Sequence, residues 1–204
     1  KIMNKCRLSH LVRIRVVFAG INFADLLMRM GFYNPRPPYP FTPGYEVSGY
    51  VDALGPGVTS FTIGQRVVAA MRNGGQASHV TCEASRVLAL PDKISLESAA
   101  AIPVIYLTAH HMLHHLGHMK KDHSVLIHGG AGGVGIAALQ LCKWAGVDKV
   151  WATSSAPKHD VIKQYGARAI DRHNENFVDI VRKETDGRGV DHVLDPIGGE
   201  HLKR

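Results

Sequence analysis

The sequence predicts an α/β protein with a β-rich first half and, in the second half, a doubly wound parallel sheet with helices between its strands. Three observations lead to this fold class. Residues 12–18 begin with the period-2 alternation of a half-buried strand. The period becomes helical at Ser95, and from Ser124 onward short apolar runs alternate with helical stretches. We therefore expect two domains, at residues 1–103 and 104–204.

Short strands separated by turns are expected through the first half. They are predicted at 12–18, 47–54, 66–70, 76–81 and 86–90. Asn22, with Asp25 three residues later, has the pattern of a helix N-terminus, and Leu26, Leu27 and Met30 are expected to face the interior. The proline-rich segment 35–44 is excluded from a helix or a central strand. Together these elements predict a small β-barrel with one short helix.

Strands and helices alternate in the second half. Helices are expected from Ser95 and around 107–116, and strands near 124–128, 149–153, 168–171 and 190–195. In the doubly wound order 3-2-1-4-5-6, these four strands are the first four, and the fourth lies at an edge. Because an unpaired apolar edge promotes association, we expect a homo-oligomer.

A glycine-rich turn follows the apolar run at 124–128. The spacing of Gly130, Gly132 and Gly135 fits G-x-G-x-x-G, in which one glycine makes the turn, one admits a pyrophosphate and one packs helix against strand. The free N–H groups at the following helix start suit a diphosphate. We expect the backbone of Gly130, Gly132, Gly133, Val134 and Gly135 to bind a nicotinamide dinucleotide. A glycine-rich turn in another kind of α/β domain is the alternative.

The end of the second strand of this half distinguishes NADP from NAD. An acidic residue about 20 positions beyond the glycines would bind a ribose 2′-hydroxyl. Here the chain has no carboxylate between Thr153 and Asp160, and it carries Ser154 and Lys158 instead. Because a hydroxyl and an ammonium group suit a 2′-phosphate, we expect NADPH as the cofactor.

Composition narrows the class of protein. Hydrophobic residues make up 45% and charged residues 20% of the 204 residues, which excludes a disordered chain. No apolar run approaches the roughly 20 residues of a membrane-spanning helix. The cysteines favour a reducing cytosol, so we expect a cytoplasmic protein, with peripheral membrane association as an open alternative. Cys6, Cys82 and Cys142 lack the spacing of zinc ligands and are expected to be free thiols.

The formal net charge of +7 favours anionic ligands, NADPH among them. It also leaves a single-stranded nucleic-acid binder as an alternative, although no basic run is interleaved with aromatic residues.

Seven motifs stand in order along the chain. They are GINFADLLMRMGFY at 20–33, TPGYEVSGYVDALGPGV at 42–58, GQRVVA at 64–69, AAAIPVIYLTA at 99–109, SVLIHGGAGGVGIAALQLCKWAG at 124–146, ATSSAPKHDVIKQYGA at 152–167 and GVDHVLDPIGG at 189–199. In this order they resemble the zinc-free quinone oxidoreductase branch of the medium-chain dehydrogenase/reductase superfamily, and its VAT-1-like subgroup in particular. The resemblance implies a GroES-like first domain and an incomplete Rossmann second domain. It also implies NADPH-dependent reduction of a quinone or another α,β-unsaturated carbonyl by direct hydride transfer.

The resemblance also implies roles for individual residues. Asn22 corresponds to the family asparagine near the nicotinamide and substrate, with a helix N-cap as its alternative role. Thr108 corresponds to the threonine beside the nicotinamide, with a hydroxyl bonded one turn back in its helix as the alternative. Lys158 matches the family lysine that follows the second strand of this half. Arg172 stands in the segment where family members carry a tyrosine that helps to hold the adenosine phosphate, and it could replace that tyrosine as a cation.

The resemblance predicts no metal. The zinc ligands of related enzymes fall here at Gly20 or Ile21 and at Tyr45, none of which supplies a suitable ligand. Five of the 13 histidines are His110, His111, His114, His115 and His118, whose i,i+4 pairs leave adventitious chelation open. A partly exposed, histidine-rich helix is the simpler interpretation.

Two further matters stay open in the sequence. Tyr45 and Tyr106 are candidate proton donors, with packing as their alternative role. The fourth strand of the Rossmann order is followed by few residues, so we expect a fragment or a truncated isoform with poor activity by itself. A non-catalytic nucleotide-binding or scaffold protein is therefore an alternative function.

Overall fold

Nine strands form two sheets in the residues that the computed structural model describes, 10–34 and 37–199. The chain divides into two units, Lys1–Val104 and Ile105–Arg204. The domain boundary that we predict after residue 103 lies one residue before this division. Cys6 lies outside the described residues.

The first unit contains an antiparallel five-stranded sheet in the order β4-β1-β2-β3-β5. Its strands are β1 (Leu11–Ala19), β2 (Glu46–Leu54), β3 (Arg66–Ala70), β4 (His79–Glu83) and β5 (Val87–Ala89). The core is formed by alternating valine and isoleucine side chains, including Val12, Ile14, Val47, Val51 and Val67. This alternation is the signal that predicted the first strand.

One strand boundary and one helix face differ from expectation. The strand predicted at 76–81 begins only at His79, because the Gln76 N–H donates to the Pro43 carbonyl instead of to a strand ladder. Helix α1 (Phe23–Met30) begins after Asn22 as predicted, but Leu26 and Met30 are exposed at 41% and 52%. The prediction that they face inward is wrong.

The inward face of α1 carries Asp25 and Met28 instead. The Asp25 carboxylate accepts hydrogen bonds from the N–H groups of Asn22 and Gly44, at 2.9 and 2.8 Å. These contacts turn this side of the helix toward the rest of the unit. The helix ends at Gly31, whose φ of 81° is left-handed. Helix α2 (Leu96–Ala99) follows the predicted cap at Ser95, whose side chain accepts from the Ser98 N–H.

The second unit contains a parallel four-stranded sheet in the order β8-β7-β6-β9. Its strands are β6 (Ser124–Ile127), β7 (Lys149–Ser154), β8 (Arg168–Asp171) and β9 (His192–Leu194), and the helices between them are α4 (Gly133–Trp144), α5 (His159–Lys163) and α6 (Phe177–Glu184). The strand order is therefore third, second, first, fourth along the chain, which confirms the predicted doubly wound arrangement.

Helix α3 (Pro103–His110) stands at the division between the two units and continues into a six-residue π-helical segment, His111–Leu116. One face of the parallel sheet packs on a core that includes Val125, Ile127, Ala138, Leu139 and Ile162. The other face packs through Leu126, Trp151 and Ile170 against Val181 of α6. No helix of the described residues is long and apolar enough to cross a membrane.

Candidate functional site

The predicted phosphate-binding turn connects β6 to α4. It is held to the neighbouring strand β7, because the Gly130 N–H donates to the Thr153 carbonyl at 2.9 Å. Gly132 is the N-cap of α4, with the extended φ and ψ of −87° and 171°. Its N–H donates to the Gly129 carbonyl at 2.8 Å, which closes the turn. The turn is therefore a preformed backbone structure.

The three motif glycines are required for different reasons. A Cβ atom on Gly130 would lie 2.6 Å from the Cβ of Ala152, and one on Gly135 would lie 2.4 Å from the Gly129 carbonyl oxygen. Those two glycines allow the turn, the helix and the strand to pack. A Cβ atom on Gly132 would meet only the Gly129 oxygen, at 3.2 Å, among the described residues. The space beside Gly132 is therefore open on its other sides, and a pyrophosphate in that space stays a prediction.

The start of α4 also suits an anion. The first N–H groups of a helix have no partners within it, and the helix dipole places partial positive charge there. The first turn of α4, which includes Gly133, Val134 and Gly135, carries no acidic side chain that would compete for these donors. The residues of this turn therefore fit a dinucleotide phosphate.

The predicted 2′-phosphate ligands stand at the carboxyl ends of two adjacent strands. Ser154 ends β7 and is buried, and its carbonyl accepts a hydrogen bond of 2.9 Å from the N–H of Arg172, just after β8. Lys158 is exposed at the end of a short 3-10 turn. The Arg172 side chain is also exposed, and its Nε donates to His173 at 3.1 Å. Among the described residues no hydrogen bond joins these three side chains, so their convergence on one ligand stays a prediction.

Asn22 lies at the centre of a partly buried hydrogen-bond network in the first unit. Its N–H donates to Asp25 in a capping box, as the N-cap alternative predicted. Its side-chain Nδ2 donates to Glu46 Oε1 at 2.8 Å. The other oxygen of Glu46 accepts the N–H of Val104 at 2.8 Å. The N-cap role is thus confirmed, and the role of Asn22 toward a ligand stays a prediction.

Glu46 is a candidate functional residue that the sequence interpretation missed. Its side chain is 2% exposed. Burial raises the pKa of this carboxyl, while the hydrogen bonds from Val104 and Asn22 act in the opposite direction. The signal in the sequence is an acidic residue at the head of a strand that is otherwise apolar and small, EVSGYV. Such a residue needs donors when it is buried.

Thr108 lies on α3 with an exposed side chain. Within the described part of the chain, its hydroxyl makes no hydrogen bond to a carbonyl one turn back, so its alternative structural role is absent. Ile105 on the same helix packs against the beginning of α4, since a Cβ atom on Gly133 would lie 3.1 Å from Ile105 Cγ2. This contact places the helix that carries Thr108 beside the glycine turn.

The two tyrosines have different surroundings. The Tyr106 hydroxyl donates to Gln140 at 2.7 Å, and Gln140 in turn donates to Tyr165 at 3.2 Å, so Tyr106 connects α3 to α4. The Tyr45 ring stands edge-on to Tyr33, with ring centroids 6.1 Å apart. Burial is the main cause that raises the pKa of Tyr45 to about 12. At neutral pH both phenols therefore hold their protons.

No group of three or more histidine, cysteine or carboxylate side chains that could hold a metal ion is present among the described residues. His110 and His114 lie with ring centroids 4.8 Å apart, as do His111 and His115. Each pair supplies two ligands at most. The expectation that the protein needs no metal stays a prediction.

Comparison with known proteins identifies the chain. The model of the alcohol dehydrogenase GroES-like domain matches residues 9–92, and that of the zinc-binding dehydrogenase matches residues 133–204. The synaptic vesicle membrane protein VAT-1 homolog of Danio rerio is 44% identical over 189 residues, which are 92% of this chain and 39% of the relative. The quinone oxidoreductase of Homo sapiens is 32% identical over 198 residues, 96% of this chain and 60% of the relative.

Solved structures of oxidoreductases are also similar to this chain in fold and sequence. The Escherichia coli quinone oxidoreductase complexed with NADPH has a TM-score of 0.88 and 33% identity, covering 96% of this chain and 60% of that one. The CurK enoyl reductase has a TM-score of 0.90 and 32% identity, covering 98% of this chain and 62% of that one.

The antiparallel GroES-like sheet, the Rossmann-type parallel sheet and the glycine turn together define a dinucleotide-binding dehydrogenase fold. The chain belongs to the medium-chain dehydrogenase/reductase superfamily, in its quinone oxidoreductase branch, as the seven motifs predicted. It spans about two fifths of the VAT-1 relative from Danio rerio and three fifths of the quinone oxidoreductase.

Proposed function

We propose that this chain binds NADPH at the glycine turn and reduces a quinone or another α,β-unsaturated carbonyl without a metal. The observation that carries the proposal is the open side of Gly132 at the positive end of α4, in a turn already held to β7. The NADPH complex of the Escherichia coli quinone oxidoreductase supports it. Residues 1–103 then serve mainly the substrate, and residues 104–204 the cofactor.

The chemistry of hydride donation belongs to the cofactor, which supplies the hydride when bound. The protein binds and orients. The N–H groups of Gly133, Val134 and Gly135 hold the pyrophosphate beside the open side of Gly132, and Ser154, Lys158 and Arg172 hold the 2′-phosphate. Asn22 and Thr108 orient the nicotinamide and the substrate. Because hydride transfer depends strongly on orientation, these contacts determine the rate.

Cofactor preference tests the phosphate part of the proposal. We expect NADPH to bind more tightly than NADH in a fluorescence titration, and Lys158→Ala to weaken NADPH by about 1–3 kcal/mol, the value of a hydrogen bond to a charged group. NADH binding should change little. Lys163→Ala is the matched control, since Lys163 is also exposed, lies on α5 and is 3.8 Å from Asp160. Equal affinity for NADH and NADPH would contradict the assignment.

Turnover tests the reaction itself. NADPH oxidation at 340 nm is followed with a simple quinone as acceptor, beside the binding titration. Turnover that falls in Asn22→Ala and Thr108→Ala supports the reductase. Tight NADPH binding without turnover supports the alternative, a nucleotide-binding or scaffold protein, while oligonucleotide binding that NADPH does not displace would favour the nucleic-acid alternative.

We also propose a cytoplasmic location and a homo-oligomer. The unpaired Cys82 and Cys142 suit a reducing compartment. Strand β9 has one neighbour in the sheet of the described residues, and Val193 and Ile197 near this edge are 55% and 52% exposed. Light scattering at several concentrations measures the oligomer directly.

A further inference from the structure

Two buried carboxylates lie beside Asn22, and they perform different tasks. We propose that Glu46 is the positioning residue that sets the orientation of the Asn22 carboxamide. The proposal rests on the role of Asn22 given above, because positioning matters for function only if that side chain meets the nicotinamide or the substrate.

The contacts of Glu46 leave it little freedom. Oε1 accepts from Asn22 Nδ2 and Oε2 accepts from the Val104 N–H, both at 2.8 Å. The wall opposite is backbone, since even a Cβ atom on Gly20 would lie 2.3 Å from Oε1 and 2.5 Å from the Ala100 carbonyl oxygen. The carboxylate is therefore enclosed, with both oxygens in use.

The hydrogen-bond chemistry of Glu46 dictates which way the amide faces. An ionised carboxylate only accepts hydrogen bonds. The Val104 N–H only donates, so it occupies one oxygen permanently. Asn22 must then turn its NH₂ group toward the other oxygen, and its carbonyl Oδ1 away from Glu46. The carboxylate, together with the Asp25 N–H that faces the Asn22 side chain in the capping box, thereby decides which atoms of Asn22 remain for a ligand.

Asp25 provides the contrast within the same network. It is 4% exposed and also accepts two N–H groups, but both belong to the backbone, at Asn22 and Gly44. Asp25 therefore holds the chain in place, while Glu46 holds the side chain of Asn22. A substitution at each position separates a structural effect from a positioning effect.

Glu46→Gln is the test variant. A glutamine has one acceptor oxygen, and two donors face it, so one contact must be lost or Asn22 must turn its amide over. In a ¹H–¹⁵N correlation spectrum, the side-chain NH₂ group of Asn22 gives a pair of signals, which are assigned by their loss in Asn22→Ala. We expect this pair of signals to shift strongly in Glu46→Gln. In Asp25→Asn the midpoint of thermal unfolding should fall while this pair stays near its original position.

Kinetics provide the second readout. In Glu46→Gln we expect kcat for NADPH-dependent quinone reduction to fall by about tenfold or more, the effect of a misplaced orienting group, while the Kd for NADPH stays unchanged. An Asn22 pair that does not move in Glu46→Gln overturns the proposal, whatever the activity. A pair that moves in a chain without turnover supports the positioning and contradicts the reductase function.

A second variant covers the case in which Glu46→Gln does not fold. Asn22→Asp keeps a good helix cap but places a second carboxyl group opposite Glu46. Two carboxylates at hydrogen-bond distance cannot both ionise, so one of them should titrate far above its usual range by ¹³C NMR. Ordinary titration of both groups would overturn the contact and the proposal with it.

Discussion

The glycine turn permits a prediction in which folding and binding respond to different substitutions. Gly135→Ala places a Cβ atom 2.4 Å from the Gly129 oxygen and 2.6 Å from the Gly130 Cα atom. Both are backbone atoms that cannot rotate away. Overpacking costs about 1–3 kcal/mol in general, and clashes with fixed backbone atoms belong to the upper part of that range, about 2–3 kcal/mol. Replacing glycine by alanine gains about 1 kcal/mol of helix propensity in return.

The net destabilisation expected for Gly135→Ala is therefore about 1–2 kcal/mol, which corresponds to a fall in the unfolding midpoint of about 2–8 °C for a chain of this size. Gly132→Ala behaves differently. Its Cβ atom meets only one atom, at 3.2 Å, and the backbone φ of −87° suits alanine. Its cost is that of a poorer cap, about 1 kcal/mol or less.

Gly132→Ala, which costs little stability, is the variant expected to weaken NADPH binding. The new methyl group at position 132 fills the space assigned to the pyrophosphate, so NADPH affinity should fall by about tenfold or more, equivalent to about 1.4 kcal/mol. Differential scanning calorimetry and a fluorescence titration measure the two effects. If Gly132→Ala binds NADPH as the unchanged chain does, the phosphate does not lie there. If Gly135→Ala is as stable as the unchanged chain, the packing argument is wrong.

Two further outcomes are expected. No stoichiometric zinc should remain in a tag-free preparation after dialysis against a mild chelator, since Tyr45 stands at the usual ligand position; one zinc per chain by elemental analysis would refute this. The second concerns Asp191, whose pKa is lowered to about 2 by hydrogen bonds from the Ser124 hydroxyl and N–H. Because the folded-state pKa is depressed, this stabilisation is present above the ordinary pKa of 3.8 and is lost as pH falls toward 2. Asp191→Asn should therefore be less stable than the unchanged chain at pH 7, and the difference in unfolding free energy should vanish near pH 2.

Local patterns predicted the fold well, because most of its elements follow from period and capping. The parallel strand order follows from alternating strands and helices. The helix starts after Ser95 and Asn22 follow from short side chains, those of Ser95 and Asp25, that accept N–H groups locally. The inward face of α1 could not be predicted in the same way. Hydrophobicity favoured Leu26 and Met30, but the orientation is set by Asp25 bonding to Gly44, a contact nineteen residues away in the chain.

In the candidate site, too, the local features could be predicted from the sequence and the long-range contacts could not. The glycine turn is contiguous, so its motif is visible in the sequence. Glu46, in contrast, is bonded to residues that are distant in the sequence: Asn22 lies twenty-four positions before it and Val104 fifty-eight positions after it. No local pattern reports a pairing of that kind. A buried acid at the head of an apolar strand is the one sign, and it signals that donors exist without showing where they lie.

The hydrogen bond from Gly130 to Thr153 has a consequence for engineering. Since the glycine turn is bonded to β7 through the backbone, its shape does not depend on the side chains that follow the strand. The segment 154–158 can then be exchanged as a cassette, with an acidic residue in place of Ser154 and a neutral one in place of Lys158, to recode the chain toward NADH without rebuilding the turn.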